Sequence, residues 1–375
     1  MWARESAASA DREDHMASAA VNYRIALIPG DGIGVEVTEA ARLVLERCAA
    51  VEGFSWQWTE LDWGCDRYLR TGALMPDDGM QLLADADAIF LGAVGTPGVP
   101  DHVSLWGLLI PIRRGFDQYV NLRPARLLPG VRSPLAGRSA DDLDFVVVRE
   151  NSEGEYSTIG GRHRPGHPDE VVVQSALFTR HGTERIVRYA FDLARGRAAQ
   201  VTGATKSNGI IHTMPFFDEI FREVGSEYMD IESELVHIDA LAARFVLEPR
   251  RLGVVVGSNL FGDILSDLGA AIVGGLGLAP SGNINPDASV PSMFESVHGS
   301  APDIAGQGIA DPTAQILAGA MMLDHLGRTS AGDRVRAAVD TVLGEGRTVT
   351  PDLGGAATTA QMANAIAEAV PGATA

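Results

Sequence analysis

The sequence predicts an α/β protein built on a mixed, largely parallel sheet. Short apolar runs of strand length, such as DAIFLGAVG and LDFVVVRE, alternate with longer stretches of helical spacing. Glycine-rich turns separate the two kinds of segment, and the chain of 375 residues, 46% hydrophobic, is too long for one ordinary domain, so two lobes are expected.

In chain order, RIALIPGDGIG reads as a buried strand entering a glycine turn, and Val35 to Cys48 carries apolar residues at Val37, Ala41, Val44 and Leu45 as a helix would. SWQWTEL alternates as a strand, Pro76 suits the first turn of a helix, and DAIFLGAVG is a second buried strand. LDFVVVRE and VVVQSALF read as strands flanking an exposed polar ribbon from Ser152 to Asp169. ERIVRYAFDLA, AAQVTGA, IIHTMPFFDEIF and YMDIESELV then give helix, strand, helix, strand, followed by a helix over 259–273. Beyond a glycine-rich stretch, GGLGLAPSGNINP, helices are expected near 312–326, 331–343 and 357–369.

Composition narrows the function. Thirty basic against forty-nine acidic residues leave a net charge of −19, which repels phosphate backbones and anionic membranes, so neither nucleic acid nor a membrane is an expected partner. Cys48 and Cys65 are the only cysteines and lack CxxC spacing, as in a cytoplasmic protein without a disulfide framework or zinc site. Residues 1–20 have neither an apolar core of signal-peptide length nor a folding pattern and read as a disordered leader.

Two glycine clusters fail as nucleotide motifs. Gly30-Asp-Gly-Ile-Gly34 has Val35 where the Rossmann fingerprint needs its third glycine, so a tight strand-to-helix turn is the better reading. In Gly203-Ala-Thr-Lys-Ser207 the phosphate-loop glycines are replaced by Thr205 and Gln200.

The chemistry concentrates elsewhere. NLFGDILSDLG sets Asp263 and Asp267 four residues apart, on one face of a helix, within an otherwise apolar segment. Such carboxylates need arginine partners or a hard divalent cation, Mg²⁺ or Mn²⁺, and spacing alone leaves both open. Asp239 interrupts the apolar VHIDALAARF in the same way, which tilts the balance toward metal. Arg113, Arg123 and Arg149 each stand where an element ends, as bidentate carboxylate clamps would. Tyr156 and Lys206 are candidate proton carriers beside them.

IPGDGIGVEV, the NLRP at 121–124, RENSEGEY, TKSNG, NLFGDILSD and ESVHGSAPDIAGQGIADP resemble, in order, the metal-dependent β-decarboxylating dehydrogenases, a family that includes isopropylmalate, isocitrate and tartrate/D-malate dehydrogenases. The resemblance implies a two-domain isopropylmalate/isocitrate dehydrogenase-like fold that is not Rossmann. It divides the chain into a cofactor-binding large domain, 21–118 with 274–375, and a substrate, metal and dimerisation domain, 119–273. It implies that Asp239, Asp263 and Asp267 hold the metal and that Arg113, Arg123 and Arg149 clamp the departing carboxylate. Tyr156 and Lys206 become the acid/base pair, with Asp239 and Lys206 coming from the partner of a homodimer. Glu295, His298, Gly299, Ser300, Ala301, Asp303 and Asp311 match the cofactor segment, and Asp303 favours NAD because a carboxylate there repels the 2′-phosphate of NADP. A monovalent cation such as K⁺ is a further expectation from the resemblance. Position 311 departs from the common asparagine, and an aspartate cannot donate as an amide does.

The segment DHVSLWGLLIPIRRG resembles the helix that meets the substrate's variable group, through Trp106 and Leu109. SLWG, FDQYVNLRP and GCDRYLRTGALMPDDG look most like the tartrate/D-malate enzymes, although Leu108 stands where a serine is expected. The implied reaction is NAD-dependent oxidation, with decarboxylation, of a 2-hydroxy diacid such as tartrate or D-malate. Alternatives are 3-isopropylmalate oxidation, more remotely a metal-dependent phosphohydrolase, and a catalytically silent binding protein.

Overall fold

The computed structural model describes residues 21–372, so the leader expected over 1–20 lies outside the described residues. Twelve strands form: β1 (Asn22–Gly30), β2 (Ser55–Glu60), β3 (Ala88–Ala93), β4 (Val120–Arg126), β5 (Asp144–Glu150), β6 (Gly160–His163), β7 (Val171–Gln174), β8 (Val201–Thr205), β9 (Ser233–His237), β10 (Val254–Gly257), β11 (Pro280–Ile284) and β12 (Ser292–Ser296). Ten of them make one sheet in the order β2-β1-β3-β12-β11-β4-β5-β10-β8-β9. Pairing is parallel at both ends and antiparallel only at the centre, where β11 joins β12 and β4, and β4 joins β5. That mixed, largely parallel α/β arrangement is the one expected.

Helices cover both faces, which is why β3, β8 and β10 are buried along their whole length. The first helix spans Ile33–Glu52 and buries Val37, Ala41, Val44 and Leu45 on the face read from the sequence. No helix among the described residues is long and apolar enough to cross a membrane. Cys48 and Cys65 are free and buried.

Several expectations need correction. Pro76 opens no helix; its carbonyl accepts the Gly79 amide in a turn at 2.9 Å, and the helix runs Gly79–Ala84. Val171–Gln174 does not flank the polar ribbon but is one of its two strands, pairing with β6, and Val171, Val172 and Val173 are exposed. The stretch after β9 holds a helix, Ile238–Leu247, and the buried strand β10, neither of which was anticipated. The glycine-rich segment after residue 273 likewise forms β11 and β12. Their signal was masked because central strands buried on both faces need no alternation and here carry Ser, Asn and Gly.

The segment before Arg113 is a helix broken in register: Asp101–Ser104, one π-helical stretch Leu105–Leu109, then Ile110–Gly115. Pro111 has no N–H to give the carbonyl of Gly107, and the amide of Ile110 reaches back to Leu105, so the turn widens.

Candidate active site

β4 reads the pleat in two directions. Arg123 points to one face of the sheet, whereas Leu122, Pro124 and Arg126 line a ≈ 690 Å³ cavity on the other. That larger cavity carries no spare charge: Arg126 pairs with Asp340, Arg197 with Asp144, and Arg336 with Asp324 and Asp333. The smaller cavity, ≈ 230 Å³, is the chemical one. Arg113, Arg123, Arg149, Tyr156, Asp263 and Glu295 meet there, with Leu105, Leu109, His298 and Gly299 completing its wall.

The helix Asn259–Ile272 explains why the sequence reads NLFGD. Asn259 Oδ1 accepts from Arg149 Nη2 at 2.7 Å and Nε at 3.2 Å, and Asp263, one turn on, pairs with Arg149 Nη1. Gly262 between them has to lack a side chain, because a Cβ there would lie 2.5 Å from the Arg149 Cβ. Asp263 also accepts the Tyr156 hydroxyl at 2.9 Å and lies 3.6 Å from Arg123, while Asp267 lies 3.2 Å from Arg123. The two aspartates do share a helix face, as expected. Neither is buried, their side chains being 31% and 59% exposed, and only Asp263 lines the cavity. Of the two partners left open by spacing, the chain supplies the arginines itself.

The electrostatics follow from burial. Loss of solvent, and next the Arg123 charge, pull the Arg149 guanidinium down to about 10. Burial also lowers Arg123. The Tyr156 hydroxyl is pushed above its ordinary range by desolvation and then by the Asp263 charge, so it keeps its proton at neutral pH. Arg113 forms a buried pair with Glu295 at 2.8 Å, and Asn283 Nδ2 donates to the same Glu295 oxygen at 2.7 Å. The Nε–H groups of Arg113 and Arg123 are buried without partners. Arg113, Arg123 and Arg149 thus line the cavity with Asp263 and Glu295, while Asp267 pairs with Arg123 from outside the lining.

The string ENSEGEY is spent on backbone anchoring. Glu150 accepts the Ser152 and Glu153 amides, Glu153 accepts the Thr179 amide at 2.8 Å, and Glu155 accepts the Leu260 amide at 3.0 Å and the Ser258 hydroxyl at 2.8 Å. Glu155 therefore ties the Tyr156 loop to the first turn of the helix that carries Asp263, where orphan amides attract a carboxylate.

The glycine turn and the cofactor segment meet across the sheet end. Ile33 donates its amide to Ser300 O at 2.8 Å, and Gly32, at φ 57°, leaves no room for a Cβ, which would stand 2.1 Å from that oxygen. Asp31 is fixed by accepting the amides of Cys65 and Gly95, both at 2.9 Å. His298 bonds Gly299 O through Nδ1 at 2.9 Å, and its buried Nε2 has no protein partner. With Nδ1 donating, Nε2 is a free acceptor in the cavity wall, as a loop shaped for a hydroxyl- or amide-bearing cofactor offers. Asp303 is exposed, Ser300 is buried and Ala301 is held at φ 39°. Asp311 is buried away from the cavity; its Oδ1 accepts the Thr313 amide at 2.8 Å and its Oδ2 has no partner.

Two expected residues stand apart. Asp239 pairs with Lys206 at 2.8 Å, and neither lines the cavity. Among the described residues no cluster of three metal-ligating side chains forms within one chain. The donor set of Asp263 and Asp267 is hard oxygen of the kind Mg²⁺ or Mn²⁺ prefers, now occupied by arginine. Trp106 does not line the cavity; its ring packs under the Arg114 guanidinium. Sequence reading missed Leu105, Asn283, Glu155 and Arg114; only Glu155, inside RENSEGEY, carried a signal.

The model of the isocitrate/isopropylmalate dehydrogenase family matches residues 24–366. A probable tartrate dehydrogenase/decarboxylase of Bacillus subtilis (strain 168) is 52% identical over 346 residues, 92% of this chain and 97% of that protein. A D-malate dehydrogenase (decarboxylating) of Escherichia coli (strain K12) is 53% identical over 355 residues, 92% of this chain and 98% of the other. The crystal structure of isocitrate dehydrogenase from Methylococcus capsulatus superposes with a TM-score of 0.84 at 40% identity, covering 93% of this chain and 99% of that one. With its mixed ten-stranded sheet and its arginine and aspartate cavity, the chain belongs to the isocitrate/isopropylmalate dehydrogenase family.

Proposed function

We propose that the protein oxidises and decarboxylates a 2-hydroxy diacid of the D-malate or tartrate type, using NAD and Mg²⁺ or Mn²⁺. The observation that carries this reading is the convergence on Asp263 of Arg149, Arg123 and the Tyr156 hydroxyl. A divalent cation taken up here adds two positive charges to a lining in which arginines already outnumber carboxylates, and a dicarboxylate offsets them. Residues 21–118 and 274–375 would form the cofactor lobe, with His298, Gly299, Ser300, Ala301 and Asp303 around NAD, and 119–273 the substrate lobe. Asp263 and Asp267 would hold the cation, with Asp239 and Lys206 reaching the site from a second copy of the chain.

When bound, the cation would supply Lewis acidity to the substrate's hydroxyl and developing carbonyl oxygen, and NAD would supply the hydride acceptor. Lys206 removes the hydroxyl proton. Arg113, Arg123 and Arg149 orient the carboxylate that departs; because neutralising it fully would oppose its loss, positioning is their contribution. Tyr156, which holds its proton at neutral pH, delivers it to the carbon left behind. Leu105 and Leu109 give the cavity an apolar wall, which suits an alkyl group and keeps 3-isopropylmalate as the competing substrate.

NADH formation from D-malate, tartrate and 3-isopropylmalate with Mn²⁺ tests the proposal, and turnover of none of the three would sink it. Asp263→Asn is expected to fold and to lose most of its thermal stabilisation by Mn²⁺, which for the native protein at a hundredfold excess over Kd is about 2.7 kcal/mol. An unchanged Mn²⁺ response would remove Asp263 from the ligand set.

A further inference from the structure

Arg114 is the cation at the site that the family's chemistry leaves without a task. It follows Arg113 in the Ile110–Gly115 helix and is half-buried. Among the described residues no carboxylate lies within ion-pair reach of it, although its neighbours Arg113, Arg123 and Arg149 are all paired with acids. Its Nη2 instead donates to the backbone carbonyl of Tyr156 at 2.5 Å, and its guanidinium lies over the Trp106 ring, 5.2 Å from the centroid. A half-buried cation spent on a carbonyl and an aromatic face fixes geometry rather than charge.

The loop that carries Tyr156 needs such a fixture. Glu155 ties it on one side to the Asn259–Ile272 helix, and Ser157 ties it on the other to Ser175 O at 2.5 Å. Arg114 is the one described hydrogen-bond partner of the Tyr156 carbonyl, and the ring itself is held by Arg149, 5.4 Å from its centroid. The anchor of the clamp, Trp106, sits in the π-helical stretch that presents Leu105 and Leu109 to the cavity. One side chain therefore connects the wall that meets the substrate's variable group to the residue that gives up the proton.

We propose that Arg114, braced on Trp106, is a positioning residue that sets the aim of the Tyr156 hydroxyl, so that protonation after decarboxylation depends on it while diacid binding and hydride transfer do not. This rests on Tyr156 being the acid of the proposed reaction. The proton leaves the phenol oxygen, a C–H bond forms at the carbon that has lost carbon dioxide, and solvent reprotonates the phenolate. Arg114 takes no part in the bond changes.

The test uses the full-length enzyme with D-malate, NAD and Mn²⁺, comparing Arg114→Met, Arg114→Lys, Tyr156→Phe and Arg114→Met combined with Tyr156→Phe. NADH formation and the split between released keto diacid and decarboxylated product are read together. Arg114→Met is expected to slow formation of decarboxylated product by roughly tenfold, with the KM for D-malate within about twofold, and to release more keto diacid because the unprotonated enolate recombines with carbon dioxide before it leaves. Arg114→Lys should recover much of the loss, because an ammonium still reaches the carbonyl. Adding Arg114→Met to Tyr156→Phe should cost little more, as coupled residues behave. Equal losses in NADH formation and decarboxylation, or full additivity with Tyr156→Phe, would overturn the role of Arg114 alone. Normal decarboxylation by Tyr156→Phe itself would overturn the acid assignment and the clamp with it.

Discussion

Asp311 shows how one buried atom can set a pH response. Its carboxyl sits against the backbone of Gly277 and the side chain of Asp352, and its Oδ2 has no donor. Burial first, and Asp352 second, push it from 3.8 up to about 7; the Thr313 amide and hydroxyl lower it only in part. Folded protein therefore keeps a proton that the unfolded chain releases, and stability falls as pH rises between those two values, levelling off above about 7. Asp311→Asn should remove the decline, raising stability at pH 8 by on the order of 3–4 kcal/mol and leaving pH 4 almost unchanged. Thermal unfolding at both pH values checks this; an equal gain at each would mean that ionisation of Asp311 is not the cause. Below about pH 7 the same carboxyl holds a proton, so its departure from asparagine removes a donor only above that range. By contrast, nothing in the order of residues revealed that Arg114 would stack on Trp106, since an i, i+8 pair meets only where the π turn changes the helical register.

At the scale of elements, the turn Gly30–Gly34 was read correctly as structural, and the fold shows what it supports. Gly32 lets the backbone of the turn lie against Ser300, so the turn serves as the seat of the proposed cofactor loop. Gly32→Ala places a Cβ against a carbonyl oxygen at positive φ and is expected to cost roughly 2–3 kcal/mol, with NAD binding weakened more than D-malate binding. Calorimetric titration with each ligand separates the two; an unaffected NAD affinity would detach the loop from the cofactor. The Asn259–Ile272 helix was legible from its apolar segment with two aspartates four residues apart, and the fold adds a serine cap and the grip of Asn259 and Asp263 on Arg149 across Gly262. The Ile238–Leu247 helix was not, because Asp239 in its first turn looked like an interruption although acids are favoured there.

For the whole molecule, the separation of Lys206 and Asp239 from the cavity carries the dimer proposal. If the site takes these residues from a second copy, inactive Asp263→Asn and inactive Lys206→Met chains should complement each other. Random mixing makes half the dimers hybrids, each with one intact site, so about one quarter of native activity should return. No recovery after verified subunit exchange would confine the site to one chain. The acidic chain stays compatible with an anionic substrate because the cavity gathers three arginines from three different elements, Arg113 and Arg149 near the ends of theirs and Arg123, against expectation, in the middle of β4.

The linear order of residues was enough to establish the α/β class, the failure of the Rossmann and phosphate-loop patterns, and the identity of the cavity's arginines, Tyr156 and Asp263. Each of these rests on local periodicity, on spacing along one helix or on an ordered series of motifs, all of which a chain displays before it folds. Folding in three dimensions added the antiparallel centre of the sheet, the π turn at Pro111, the Asn283–Glu295–Arg113 relay and the burial of Asp311. Those depend on segments far apart in the chain meeting across strands and on solvent being excluded where they meet, and neither quantity is encoded in spacing alone.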